Sequence, residues 1–78
     1  MKINIEENVK DYIRSLPDKD RHVVGEYINR LTGHPQAQGD IKKLKTRFPQ
    51  WRMHISSKYT LFYHVEDDTV CIDQIMTI

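Results

Sequence analysis

Hydrophobic residues along this chain recur first with the period of a helix and later with that of a strand. Val9, Tyr12, Ile13 and Leu16 fall at i, i+3, i+4 and i+7, the spacing of an apolar stripe on an amphipathic helix. Val24, Tyr27, Ile28 and Leu31 repeat it. Pro17 separates the two stripes and can open the second helix, because a proline in the first turn sacrifices no helical hydrogen bond. Asp18 and Asp20 then lie where the helix dipole favours negative charge. Gly33 and Pro35 end that helix, the first as a permissive C-cap position and the second as a residue that cannot continue it. Two helices joined by two or three residues are predicted to form an antiparallel hairpin with shared apolar stripes.

Residues 33–41 read as a loop punctuated by Gly33, Pro35 and Gly39. Beyond Phe48-Pro49 the period falls from 3.6 to 2, and Trp51, Met53 and Ile55 alternate with Arg52, His54 and Ser56. Lys58 to Val65 is rich in aromatic and β-branched residues, Glu66-Asp67-Asp68-Thr69 is a turn, and Thr69 to Ile78 is a further β-rich run. With a short strand over Lys2 to Ile5, the predicted order is β-α-α-β-β-β. This is an α+β, two-layer arrangement in which the helical hairpin packs on one face of a mainly antiparallel sheet, as a single domain over 1–78. Tyr12, Ile13, Leu16, Val24, Ile28, Leu31, Ile55, Leu61 and Ile72 are the expected core.

A chain of 78 residues has a thin core, since a domain of this size buries only about 60–65% of the surface its unfolded chain exposes. No disulfide can support it, because Cys71 is the only cysteine. A lone thiol fits a reducing compartment. No apolar run approaches the ~20 residues that span a membrane, and Met1-Lys2-Ile3-Asn4-Ile5 is too short and polar for a signal peptide. The expectation is a cytoplasmic protein with no membrane association. Net charge is +1, but its distribution is uneven. Residues 1–41 hold six basic and seven acidic side chains, 42–58 hold six basic and no acidic ones, and 59–78 hold four acidic side chains and no Lys or Arg. A basic block of this kind suits a polyanion, whose neutralised phosphates release counterions. It equally suits a solvated face unless its members converge.

Alternation sets Arg52 and His54 on one strand face, opposite Trp51, Met53 and Ile55. Lys43, Lys45 and Arg47 precede that strand and Lys58 follows it. RNA cleavage by internal attack of a 2′-hydroxyl needs a proton acceptor, cations beside the phosphate and a donor for the leaving oxygen. His54 can serve as the base or the acid, and Arg52 can hold phosphate through paired donors. The same two residues would also be ordinary polar positions on a wet strand face. His22, His34 and His64 match no metal-ligand spacing, and one cysteine makes no thiolate cluster, so no metal is expected. Trp51, Tyr59, Phe62 and Tyr63 could stack bases, although aromatics in so small a sheet more commonly fill the core.

The run from Lys43-Leu44 through Trp51-Arg52-Met53-His54-Ile55 to Tyr59-Thr60-Leu61-Phe62-Tyr63 resembles the signature of RelE-type toxins. That signature is a Lys-Leu dipeptide, a loop, an aromatic followed by alternating basic and apolar residues, a short turn, and Tyr-Arg-hydrophobic-hydrophobic-Tyr. The acidic turn before Val70-Cys71-Ile72 and the N-terminal helical hairpin are similar as well, so the resemblance to the RelE/ParE superfamily covers nearly the whole chain. It implies a toxin of a type II toxin–antitoxin system, neutralised by a cognate antitoxin protein. RelE-like members act on the ribosome as metal-independent endoribonucleases that cleave mRNA and block translation, without a small-molecule cofactor. By position, Arg52 and His54 match the catalytic strand, while Lys43, Lys45, Arg47 and Lys58 match its RNA-binding approach. Two departures imply weakened or lost cleavage: Thr60 stands where the family has an arginine, and the sequence ends at Ile78, before a further arginine and tyrosine. The alternative implied is a ParE-like or catalytically silent binding module acting on a protein target such as gyrase.

Overall fold

The computed structural model describes residues 2–33, 41–44 and 50–78, with 41–44 described through their backbone. The chain runs β1 (Lys2–Ile5), α1 (Glu7–Arg14), α2 (Asp18–Leu31), β2 (Ile41–Leu44), β3 (Gln50–Ile55), β4 (Tyr59–Glu66) and β5 (Thr69–Thr77). Local chemistry explains the helix boundaries. The Glu6 carboxylate caps α1 by accepting the N–H of Asn8 at 3.0 Å, in the place of an absent helical partner. Pro17, at φ −54°, stands at the N-cap of α2 rather than inside its first turn. Asp18 and Asp20 follow it, and Asp18 pairs with Arg21 one turn on.

The strands form one mixed sheet in the order β1-β5-β4-β3-β2. Neighbours are antiparallel except β1, which lies parallel to β5. The sheet has one strand more than the alternation predicted. Ile41-Lys42-Lys43-Leu44 pairs antiparallel with β3, although two adjacent lysines give it no period-2 pattern and Ile41 falls at the end of the expected loop. The remainder of that predicted loop lies outside the described residues, apart from Gly33 just beyond α2. The hairpin turns are tight. Ser56 and Ser57 (φ 51° and 59°) turn β3 into β4, and Asp67 and Asp68 (φ 50° and 58°) turn β4 into β5. Paired left-handed residues are the geometry that matches the twist of two adjoining strands.

Both helices cover the same face of the sheet. Val9 from α1 and Val24, Ile28 and Leu31 from α2 join Met53, Ile55, Tyr59, Leu61, Tyr63, Val70, Ile72 and Ile75 in a single buried cluster. Six of the nine expected core residues are fully buried, whereas Tyr12, Ile13 and Leu16 are half-buried at its margin. The difference arises because α1 is only eight residues long and packs beside β5, so its stripe is sealed at Val9 alone. A groove of about 560 Å³ remains between β1 and the helices, with Ile3, Ile5, Ile13, Gly25, Ile28 and Asn29 among its lining.

Gly25 sits mid-helix, and a Cβ built there would meet nothing within 4 Å. Gly25→Ala should therefore stabilise the fold by about 0.5–1 kcal/mol through reduced backbone entropy of the unfolded chain. In a domain this small, thermal melts should register roughly 4–8 °C per kcal/mol. A lower melting temperature would mean that the groove requires a bare backbone at this position.

Candidate functional site on the helix-free face of the sheet

Alternation decides what each sheet face carries. On β3, Met53 and Ile55 are buried beneath the helices, while on the other side Arg52 is half-buried and His54 exposed. On β4, Tyr59, Leu61 and Tyr63 turn inward and are buried, leaving Thr60, Phe62 and His64 for the helix-free face. Strand register assembles these residues into rungs. Arg52 pairs with Phe62 and Phe62 with Gln74; His54 pairs with Thr60 and Thr60 with Met76. Arg52 and His54 are thus two residues apart on one strand, separated by about 6.5–7 Å along it. Thr60, the position of the family's arginine, lies directly across from His54 and is buried between its neighbours at 7% exposure.

The basic residues do not all gather at this pair. Register places Lys42 opposite Arg52 and Lys43 opposite Trp51, so Lys42 is the β2 residue that falls in the rung of Arg52. Lys45 and Arg47 lie outside the described residues. Lys58, in the β3–β4 turn, directs its Nζ to Asp20 Oδ1 of α2 at 3.5 Å. Tyr59 Oη donates to the other oxygen of the same carboxylate at 2.7 Å. These two contacts tie the hairpin turn to the first turn of α2. Tyr59's hydrogen bond, followed by the nearby Lys58 charge, holds the Asp20 carboxyl below its ordinary value against an opposing desolvation effect. The same hydrogen bond pushes the Tyr59 phenol up to about 12. Lys58 therefore serves the fold at least as directly as it serves any ligand.

Phe62, one of the four strand aromatics open to either base stacking or core packing, stands half-buried on the helix-free face beside Arg52. Its even position between inward Leu61 and Tyr63 was the available signal. Tyr59 and Tyr63 are buried, as expected for core aromatics, and Trp51 is half-buried against the core. An exposed imidazole, a guanidinium and an aromatic edge on one flat strand surface suit a single-stranded nucleic acid, with cations for phosphate and a ring for a base.

A second cluster lies farther along the same face. Between the pairs Phe62–Gln74 and Tyr63–Ile72 the register slips by one residue, so Asp73 is an extra residue on β5. A bulge of this kind re-aims a side chain. The Asp73 carboxylate lies 2.7 Å from His64 Nδ1, and Glu66 lies 3.4 Å from His64 Nε2. The hydrogen bond to Asp73 is the chief reason the His64 imidazole titrates above its ordinary value. The ligand atoms of His64, Glu66 and Cys71 all lie within 4.8 Å of one another, the described side chains able to hold a metal ion. Sequence spacing had placed His64 simply on a strand surface, because its partners arrive from across a hairpin. Of the other histidines, His22 is exposed on α2 with its Nε2 3.0 Å from Glu26, and His34 lies outside the described residues.

No protein-family model and no curated protein matches the sequence. Solved structures do match its fold. The archaeal RelE–RelB complex from Pyrococcus horikoshii superposes with a TM-score of 0.85 at 22% identity, over 97% of this chain and 92% of that one. The YoeB/ParE toxin from Agrobacterium tumefaciens gives 0.83 at 16% identity, over 100% and 99%. The intact E. coli RelBE toxin–antitoxin complex gives 0.81 at 19% identity, over 99% and 95%. The chain thus has the fold of RelE/ParE-like toxins, two helices on one face of a mixed sheet.

A depressed carboxyl value in the folded state adds stability above the ordinary value of 3.8, and that stability is lost as pH falls through the lower folded value. Tyr59→Phe should accordingly lower the melting temperature at neutral pH. The gap from the wild type should close in melts carried below pH 3.8, as Asp20 becomes protonated. A gap that stays constant with pH would disconnect Tyr59 from Asp20.

Proposed function

We propose that this chain is the toxin of a RelBE-type toxin–antitoxin pair and that it acts on ribosome-bound mRNA as a metal-independent endoribonuclease. The observation that carries the reading is the placement of Arg52 and His54 together on the helix-free face of a RelE-like fold. His54, exposed, takes or returns the proton of the reacting 2′-hydroxyl. The 2′-oxygen attacks the adjacent phosphorus, the bond to the 5′-oxygen breaks, and a cyclic phosphate and a free 5′-hydroxyl result. Arg52 offsets the charge that builds on the phosphate, and Phe62 supplies a ring on which a flanking base stacks. Lys42, Lys43, Lys45 and Arg47 draw the strand in, with Lys42 nearest the reacting rung by register. Lys58 contributes to this approach only as far as its pairing with Asp20 allows.

Thr60 sets the expected rate. It offers no positive charge where it faces His54, and removal of one group that stabilises transition-state charge typically costs a factor of about 100–1,000. Cleavage is expected to be slow, with ribosome binding retained. The ParE-like alternative is less well supported, because inhibition of a protein target gives no role to an arginine and a histidine side by side on the exposed sheet face.

An antitoxin partner belongs to the same reading, since the Pyrococcus horikoshii and E. coli neighbours are RelE–RelB and RelBE complexes. The groove beside β1 sets half-buried Ile3, Ile5 and Ile13 next to exposed Arg21, His22 and Glu26, a surface suited to an amphipathic segment. A partner that binds only the native state stabilises it by about 2.7 kcal/mol at a hundredfold excess over Kd. Thermal melts with the product of an adjacent reading frame should rise by several degrees. Gly25→Arg, which projects into the groove, should reduce that rise; an unchanged rise would move the partner elsewhere.

The double variant Arg52→Ala, His54→Ala should abolish growth inhibition while the melting temperature stays near the wild type, because neither side chain belongs to the core. Charge removal at Lys42 and Lys45 should instead weaken ribosome association in a salt-dependent way. Full toxicity in the double variant, with no mRNA cleavage in translating extract, would reassign the chain as an occluding binder.

A further inference from the structure

The cluster at the β4–β5 end of the helix-free face plays no part in the RNA chemistry above, and its donor set has a chemistry of its own. We propose that His64, Glu66 and Cys71 form a binding site for a divalent cation of the zinc type, with Asp73 as the residue that positions the His64 ring. The three donors are an imidazole nitrogen, a sulfur and a carboxylate oxygen, all within 4.8 Å of one another. Sheet geometry fixes their arrangement. His64 and Cys71 are direct cross-strand partners, and Glu66 follows His64 by two residues on the same face. A tetrahedral zinc ion, with bonds of about 2.0–2.3 Å, separates its nitrogen and oxygen ligands by about 3.4 Å. His64 Nε2 and Glu66 Oε2 already stand 3.4 Å apart, the spacing of two such corners, and the Cys71 sulfur supplies the third donor within 4.8 Å of its neighbours.

Asp73 holds the His64 ring in the orientation that a metal ligand needs. Metal-binding histidines commonly donate the ring N–H that does not face the ion to a carboxylate, which fixes the tautomer and the ring orientation. Here the β5 bulge brings Asp73 Oδ2 to 2.7 Å from His64 Nδ1, leaving Nε2 directed at Glu66. Half-exposure of His64, at 31%, leaves an entry path for an ion. Loading displaces the Sγ proton to solvent, together with the Nε2 proton of any ring that is charged, and the cation takes their place. Mixed nitrogen and sulfur donors favour zinc over magnesium or calcium, which take oxygen donors. This reverses the expectation from sequence spacing that no metal is held, since the ligands meet only across a hairpin. The site stands independently of the toxin reading, because it is tested on the protein alone.

Cobalt(II) titration of the full, untagged, metal-stripped chain tests the site by absorbance. One equivalent should bind, with a thiolate-to-cobalt charge-transfer band and the visible bands of a tetrahedral ion, and zinc should displace it, because a d¹⁰ ion loses no ligand-field stabilisation on entering a tetrahedral site. Cys71→Ser should abolish the charge-transfer band, and His64→Gln should weaken binding at least tenfold. Asp73→Asn should keep the band and weaken affinity by about 10–100-fold, the usual effect of losing such a positioning contact. His22→Gln, on α2, should change nothing. Absence of the thiolate band at saturating cobalt would overturn the proposal. So would undiminished binding in Cys71→Ser and His64→Gln, each shown to be folded by circular dichroism. Undiminished affinity in Asp73→Asn would remove Asp73 from the site.

Discussion

The fold depends on a shortage of covering surface. Two helices, of eight and fourteen residues, lie over a sheet of five strands, and both lie on the same side. Burial of apolar area is the principal favourable term in folding. In this chain that term is gathered on the inward positions of β3, β4 and β5 and on short stripes of α1 and α2. Every second residue of those strands is thereby released from the core. Such a residue on the bare face can be a cation, an imidazole or a thiol at little cost to stability.

That division explains why parts of the site were legible in the sequence. Trp51, Met53 and Ile55 against Arg52 and His54 is a period-2 pattern, and it places the basic pair on the uncovered face without further information. The helices were equally legible from their stripes and from Pro17 and Gly33, although an eight-residue helix buries less than its stripe suggests. Strand β2 was hidden because Ile41-Lys42-Lys43-Leu44 carries two consecutive lysines and no period-2 alternation, which mimics a loop. The same pairing sets Lys42 opposite Arg52 and Lys43 opposite Trp51, a distinction of one residue that only register can settle.

What remained illegible depends on contacts distant in sequence. The link from Asp20 to Lys58 and Tyr59 joins a helix start to a hairpin turn, and no local pattern announces it. Asp73 reaches His64 because the register of β5 slips by one residue, and a bulge has no signature in a run such as Cys71-Ile72-Asp73-Gln74-Ile75. Composition alone does not decide the place of Phe62. Counted among the aromatics it is core material, but counted by parity along β4 it belongs with Thr60 and His64 on the bare face.

The bare face is electrostatically divided. Arg52 and His54 occupy β3, with Lys42 beside them in register on β2, while Glu66 and Asp73 flank His64 at the opposite end. A polyanion laid across the sheet meets attraction at one end and repulsion at the other, and opposed charges of this kind fix orientation more effectively than a uniformly basic surface does. The acidic end also isolates its own histidine. His64 is committed to Asp73 and Glu66, whereas His54 lies exposed on the same face beside Arg52. One sheet face thereby keeps two histidines in separate chemistry, one exposed beside a guanidinium and one held between carboxylates, with the spacing of β4 between them.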